Sequence, residues 1–245
     1  MSIELFEQSS RLLCDKMLCD NTKGIMQYKP FSDDYWKTKP RIVICNYENF
    51  GYHDCEKPSL VTYEVFKWWF DERLNKSKKR GKSKTVHYST IFANALQKLL
   101  RQTEDKNTLE YETFRKSFWK YDQLYESMKT IMYMNLRPTS ASGNKQEIDE
   151  THKIIKKYKS QLKAYINALD ADIFILSTKD AASLLNQIFD LNDRKLFYNK
   201  YTQINNTLFF SIKHFGRPDY RYWYKKCQEI VEIWRKKNES TYVIS

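Results

Sequence analysis

The chain has 245 residues, 42 Lys+Arg against 30 Asp+Glu for a net charge of +12, and 16% aromatic residues. Rings in that number can fill a core, so the charge does not imply disorder, and without a run of about 18 apolar residues nothing is expected to span a membrane. Only 5 Gly and 5 Pro leave little room for long linkers, and the length suits one large domain or two small ones.

The opening MSIELFEQSS lacks the basic-then-apolar layout of a secretory leader. The cysteines, Cys14, Cys19, Cys45, Cys55 and Cys227, form no Cys-x2-Cys pair. Reduced thiols in a cytoplasmic or nucleoid-associated protein are expected, with no metal site. Cys14 and Cys19 read as buried helix thiols.

In chain order, Ile3 to Cys19 reads as a helix within an N-terminal helical extension, residues 1–39. An α/β domain follows over residues 40–245. Its first strand is Arg41–Cys45 (RIVIC). Val61–Leu74 is a helix candidate with rings nearly all round. Lys76, Lys78, Lys79, Arg80, Lys82 and Lys84 crowd a segment around Gly81 with almost no apolar residues, which reads as an exposed loop. Ile91, Ala95, Leu96, Leu99 and Leu100 mark a helix, and Phe114 to Met128 another. Ile131–Met134 (IMYM) is the second strand. Ile154 to Leu169 repeats apolar residues at helical spacing. Ile173–Leu176 (IFIL) is the third strand, Asp180–Phe189 a short helix, and Leu208–Ile212 (LFFSI) the fourth strand. Tyr220 to Trp234 belongs to a last helix. The strands are apolar almost throughout, as expected where a parallel sheet is covered on both faces. Strands alternating with helices predict a three-layer α/β/α sandwich around a four-stranded, mainly parallel sheet.

Open parallel sheets bind ligands beyond the carboxyl ends of their strands. Asn46-Tyr47-Glu48-Asn49-Phe50-Gly51-Tyr52 follows the first strand. Asn135-Leu136-Arg137-Pro138-Thr139 follows the second. The third leads only to Ser177-Thr178-Lys179-Asp180, which reads as a helix cap on Ser177, Thr178 or Asp180. The fourth leads to Lys213-His214-Phe215-Gly216-Arg217-Pro218-Asp219-Tyr220. Acid, amide and imidazole thus follow three of the four strands.

In this order, RIVICNYENFGY, IMYMNLRPTSASGNKQEI, LDADIFILSTKDAASLL and FFSIKHFGRPDYRYW resemble the uracil-DNA glycosylase-like superfamily over roughly residues 40–236. That family has an acid- or amide-bearing loop after its first strand, an Asn ending its second, and a His-Pro-Ser-type loop after its last. Here the first loop has neither Gly-Gln-Asp-Pro nor Gly-Glu-Ala-Pro-Gly. His214-Phe215-Gly216 stands in place of His-Pro-Ser, and the cysteine spacing of the iron–sulfur branches is absent.

The resemblance implies strand order 2-1-3-4 and an enzyme that flips a base of DNA, or another nucleic acid, into a cleft and hydrolyses its N-glycosidic bond, as in DNA repair. No cofactor is needed for that chemistry. Glu48, the only carboxylate in the first loop before Asp54, takes the acid's place, or Asn46 positions the water instead. His214 would stabilise the departing base's negative charge. Asn135 would read the base edge, with Phe50 stacking on the base and Tyr47 or Tyr52 as rivals. Phe215, Arg217 and Tyr220 could form the wedge where the base leaves. Lys76–Lys84 and Arg217 would hold the phosphate backbone. His53, His87 and His152 read as structural or solvated. The alternative is a catalytically silent member that binds nucleic acid or a modified nucleotide.

Overall fold

A computed structural model describes residues 3–22, 25–46, 59–61, 84–101, 110–117, 127–139, 145–192, 195–216 and 219–242. Its centre is a five-stranded sheet. The strands are β2 (Ile42–Asn46), β4 (Ile131–Asn135), β5 (Ile173–Leu176), β6 (Tyr201–Ile204) and β7 (Thr207–Ser211). They lie in the order β4-β2-β5-β7-β6, the first four parallel and β6 antiparallel on the edge. The expected four-stranded sheet is therefore corrected to five. The four parallel strands lie side by side in the order second, first, third, fourth.

β4 and β5 are buried at every position. That burial is the physical meaning of their unbroken apolar runs. β6 alternates between exposed and half-buried residues, as one-sided edge strands do. It pairs with β7 across Asn205-Asn206, where Asn205 takes φ 53°. Asparagine tolerates that left-handed backbone better than most residues, which makes it a hairpin-turn residue.

The helices fall into two packed sets. α5 (Lys145–Lys157), α6 (Lys159–Ala168) and α7 (Lys179–Phe189) pack together, and α1 (Ile3–Cys19) lies on α6. α3 (Lys84–Arg101), α4 (Tyr111–Ser117) and α8 (Tyr220–Tyr242) form the other set. The chain runs from β4 across β2 to β5 through α5 and α6, whereas α3 lies between β2 and β4 in sequence. Right-handed crossovers in those opposite directions put the two sets on opposite faces of the sheet.

The helix expected from Ile154 to Leu169 is broken at Tyr158, whose backbone (φ −107°, ψ 21°) leaves the helical region. The Tyr158 ring is buried and its hydroxyl lies 2.6 Å from Thr22 Oγ1, so tertiary anchoring fixes the break. Thr178 caps α7, its Oγ1 accepting from Ala181 N–H at 3.0 Å.

The N-terminal segment shares the same core. Phe6 of α1 packs its ring on Trp36 and Tyr165 at centroid distances of 5.6 and 5.3 Å. Tyr35 of α2 (Asp34–Lys37) donates to Leu169 O at 3.0 Å. β1 (Met26–Tyr28) pairs with β3 (Ser59–Val61) in a small parallel sheet that the sequence did not reveal, so Val61 is strand, not the start of a helix. The rest of the expected 61–74 helix and residues 118–126 of the expected Phe114–Met128 helix lie outside the described residues. Cys14 is buried, but Cys19 is exposed, which corrects its expected burial.

Candidate functional site

All four parallel strands end at one edge. Asn46 closes β2 in register with Asn135, the last residue of β4. Ser177 N–H donates to Cys45 O at 3.0 Å, and Ile212 N–H to Leu176 O at 2.8 Å. β5 alone separates β2 from β7, a lateral distance of roughly 10 Å at ordinary strand spacing.

The end of β4 is closed. Asn135 is 2% exposed, and its Nδ2 donates to the Tyr28 hydroxyl at 2.8 Å. Tyr28 O in turn accepts from the Tyr165 hydroxyl at 2.5 Å. Burial pushes both phenols well above the ordinary range, so they stay neutral. Beside them is a cavity lined by Leu13, Met17, Tyr28, Met134, Asn135 and Tyr165 among others, with about 20 Å³ open to a water's centre. That is room for a water and too small for a nucleobase. Arg137 is 5% exposed, donating from Nε to Thr139 Oγ1 at 2.8 Å and from one terminal nitrogen to Thr151 Oγ1 at 3.0 Å. Glu150 lies 3.9 Å from the other terminal nitrogen. Burial also drives the Cys45 and Cys227 thiols far above the usual thiol range, which leaves them poor nucleophiles.

The end of β7 is different. His214 is half buried, and its Nδ1 accepts from Gly216 N–H at 3.0 Å. A neutral ring with Nδ1 as acceptor carries its proton on Nε2, so the far nitrogen is a donor. Lys213 N–H donates to the Tyr222 hydroxyl at 2.9 Å, and the Lys213 ammonium bonds Asp219 at 2.7 Å. Tyr222 also donates to Asn199 Oδ1 at 2.5 Å, and partial burial pushes its phenol up to about 12. Asp219 accepts from Tyr222 N–H at 3.3 Å and opens α8.

No protein-family model matches this chain, and no curated protein matches its sequence.

The expected site residues divide accordingly. Asn46 and Asn135 are brought side by side, with His214 on the same edge. Asn135 is directed into the Tyr28 contact, which gives its amide a structural bond where a base-edge contact was expected. The expected wedge residue Phe215 is a core ring, 0% exposed and packed on Phe92 and Trp223 at 5.4 and 5.3 Å. It cannot enter a duplex without leaving the core. Tyr220 is half buried, its ring edge-on to Tyr88 and Trp223. Lys84 opens α3. Tyr47, Glu48, Phe50, Lys76, Lys78, Lys79, Arg80, Lys82 and Arg217 lie outside the described residues. His152, expected to be solvated, ties α5 to α7: its Nδ1 lies 2.8 Å from Gln187 Oε1, and Gln187 Nε2 donates to His152 O at 3.0 Å.

Among the described residues no group of His, Cys, Asp and Glu could hold a metal ion, and no helix is long and apolar enough to cross a membrane. Sequence reasoning missed Tyr28 and Tyr222 as the residues that organise the two strand ends. Tyr222 lay within reach, since it follows a proline-containing loop by one helical turn.

Proposed function

We propose that this protein is a nucleic-acid-directed N-glycosylase of the uracil-DNA glycosylase-like type. The reading is carried by His214, which sits just past the last parallel strand with its Nδ1 occupied by Gly216 and its proton on Nε2. A neutral imidazole that donates from Nε2 can stabilise an anion developing on a base carbonyl, and because that nitrogen is buried from solvent the base has to reach it inside the cleft. Glu48, which follows the first strand, one strand removed from the last across β5, supplies the carboxylate that stabilises the sugar cation or orients water.

Incubation with oligonucleotides containing uracil, hypoxanthine, hydroxymethyluracil or normal bases tests this through the appearance of abasic sites. Release by the wild type that falls by about 10²–10³ in His214→Ala, and is lost in Glu48→Ala, supports it. No release across that panel rejects it. The Asn135–Tyr28 bond favours a second reading, a silent binding module of the same fold, because it diverts the amide that would read the base. Salt-sensitive DNA binding without base release is that reading's signature.

A further inference from the structure

Residues 195–201, Lys-Leu-Phe-Tyr-Asn-Lys-Tyr, leave three large rings in solvent: Phe197 is 65% exposed, Tyr198 45% and Tyr201 48%. Their backbone is firmly held. Asn186 clamps Leu196 from both sides, donating to its carbonyl at 3.0 Å and accepting from its N–H at 2.8 Å. Lys200 N–H bonds Phe197 O at 3.1 Å, closing a turn in which Asn199 takes φ 61°. Asparagine tolerates positive φ at the third position of a turn better than most residues. Asn199 is fixed in turn by Tyr222 and by Lys226, whose ammonium bonds its carbonyl at 3.2 Å. Tyr201 stacks one face on Phe210 at 5.5 Å, with an interplanar angle of 28°.

The surroundings are cationic. Lys195 and Lys200 interleave with the rings and are exposed. Lys213 lies within electrostatic reach of Tyr198. From residue 195 to 229 the sequence has seven Lys or Arg (195, 200, 213, 217, 221, 225, 226) against two acids, Asp219 and Glu229, which pair with Lys213 and Lys226. Rigid exposed rings interleaved with lysines match the chemistry of unpaired bases on a phosphate chain. An acidic protein would satisfy the charge but would have no use for three open ring faces.

We propose that the 195–201 segment is a stacking platform for single-stranded nucleic acid, with unpaired bases on Phe197, Tyr198 and Tyr201 and the phosphates against Lys195 and Lys200. It rests on the nucleic-acid-binding part of the function proposed above and is independent of bond cleavage. It also selects the strand form, because a duplex keeps its base faces stacked and out of reach.

The test is fluorescence anisotropy of the full chain with a labelled oligothymidylate of about 15 nucleotides, within the upper range of known single-strand site sizes, and with a duplex of equal length. The oligothymidylate is expected to bind more tightly than the duplex. Phe197→Ala and Tyr198→Ala are each expected to weaken it by about tenfold, with Tyr198→Phe near wild type, since stacking uses the ring and not the hydroxyl. Lys200→Ala should reduce the salt slope by about 0.7. These side chains are exposed, so unchanged melting curves will show that the variants fold. Alanine variants that fold and bind as well as wild type overturn the platform. Tighter binding to the duplex does so too, as does a dimer in sedimentation that Tyr201→Lys dissolves, which would give the β6 edge to a second copy. The abasic-site assay separates this result from the proposed reaction. Base release that persists in the alanine variants leaves the glycosylase standing without the platform, and ring-dependent binding without release leaves the platform standing alone.

Discussion

The ends of β4 and β7 lie on the same edge of one sheet, yet they differ in burial and in where their hydrogen bonds run. At β4, Asn135, Arg137 and Thr139 are all at most 5% exposed. Their hydrogen bonds run inward to Tyr28 and Thr151. At β7, Lys213 is exposed, His214 half buried, and the bonds run between short-range neighbours and the start of α8. Buried side-chain hydrogen bonds of this kind help to specify a fold. At β7 the imidazole's Nε2 is also out of solvent, while the Lys213–Asp219 pair beside it is exposed. Position on the sheet nominates both ends for function, and burial distinguishes them.

The largest test of that contrast is Phe215. As a core ring it should cost about 3–5 kcal/mol on Phe215→Ala, read as a shifted urea midpoint. A wedge would leave stability intact and weaken DNA binding alone, and that outcome would place the end of β7 entirely in solvent. Next is Tyr28→Phe, which takes one hydrogen-bond partner from the buried Asn135 amide and should cost about 1–3 kcal/mol. Combining it with Asn135→Leu should cost less than the sum of the two, because they share one bond. Additive costs would mean that Asn135 is not held by Tyr28. Tyr222→Phe should cost less, about 1 kcal/mol, and speed amide exchange at Lys213 and in the 197–200 turn. Unchanged exchange there would mean that Tyr222 does not anchor the turn.

Burial on both faces explains what could be read from the sequence. β2, β4, β5 and β7 are apolar at nearly every position because each face meets a helix or core ring, and that pattern needs no partner to be recognised. β6 escaped notice because an edge strand of Tyr, Thr, Gln and Ile alternates, like many polar loops. The break at Tyr158 carries no Gly or Pro to announce it. His214 was legible from its place after a strand. The fate of Asn135 was not, since its partner Tyr28 lies 107 residues away in sequence. Phe215 was misread for the same reason: a ring beside a loop histidine looks exposed until Phe92 and Trp223 close over it.

The smallest expected effect concerns charge at the β7 end. The Lys213 ammonium, and then the Tyr222 N–H, hold the Asp219 carboxyl below its ordinary value of 3.8. A carboxylate favoured in the folded state stabilises the fold above its unfolded value, and that contribution fades as pH falls through the lower folded value. Asp219→Asn keeps a capping oxygen but loses the charge. Wild type should therefore be slightly the more stable at neutral pH, and the two proteins should converge in acid below 3.8. Because the pair is largely exposed, salt should narrow the gap as well. Urea midpoints measured across the acid range, at low and high salt, will show it. A gap that neither acid nor salt closes would mean that Asp219 acts through its shape rather than its charge, and the contrast between a buried β4 end and a β7 end that carries an exposed ion pair would have to be redrawn.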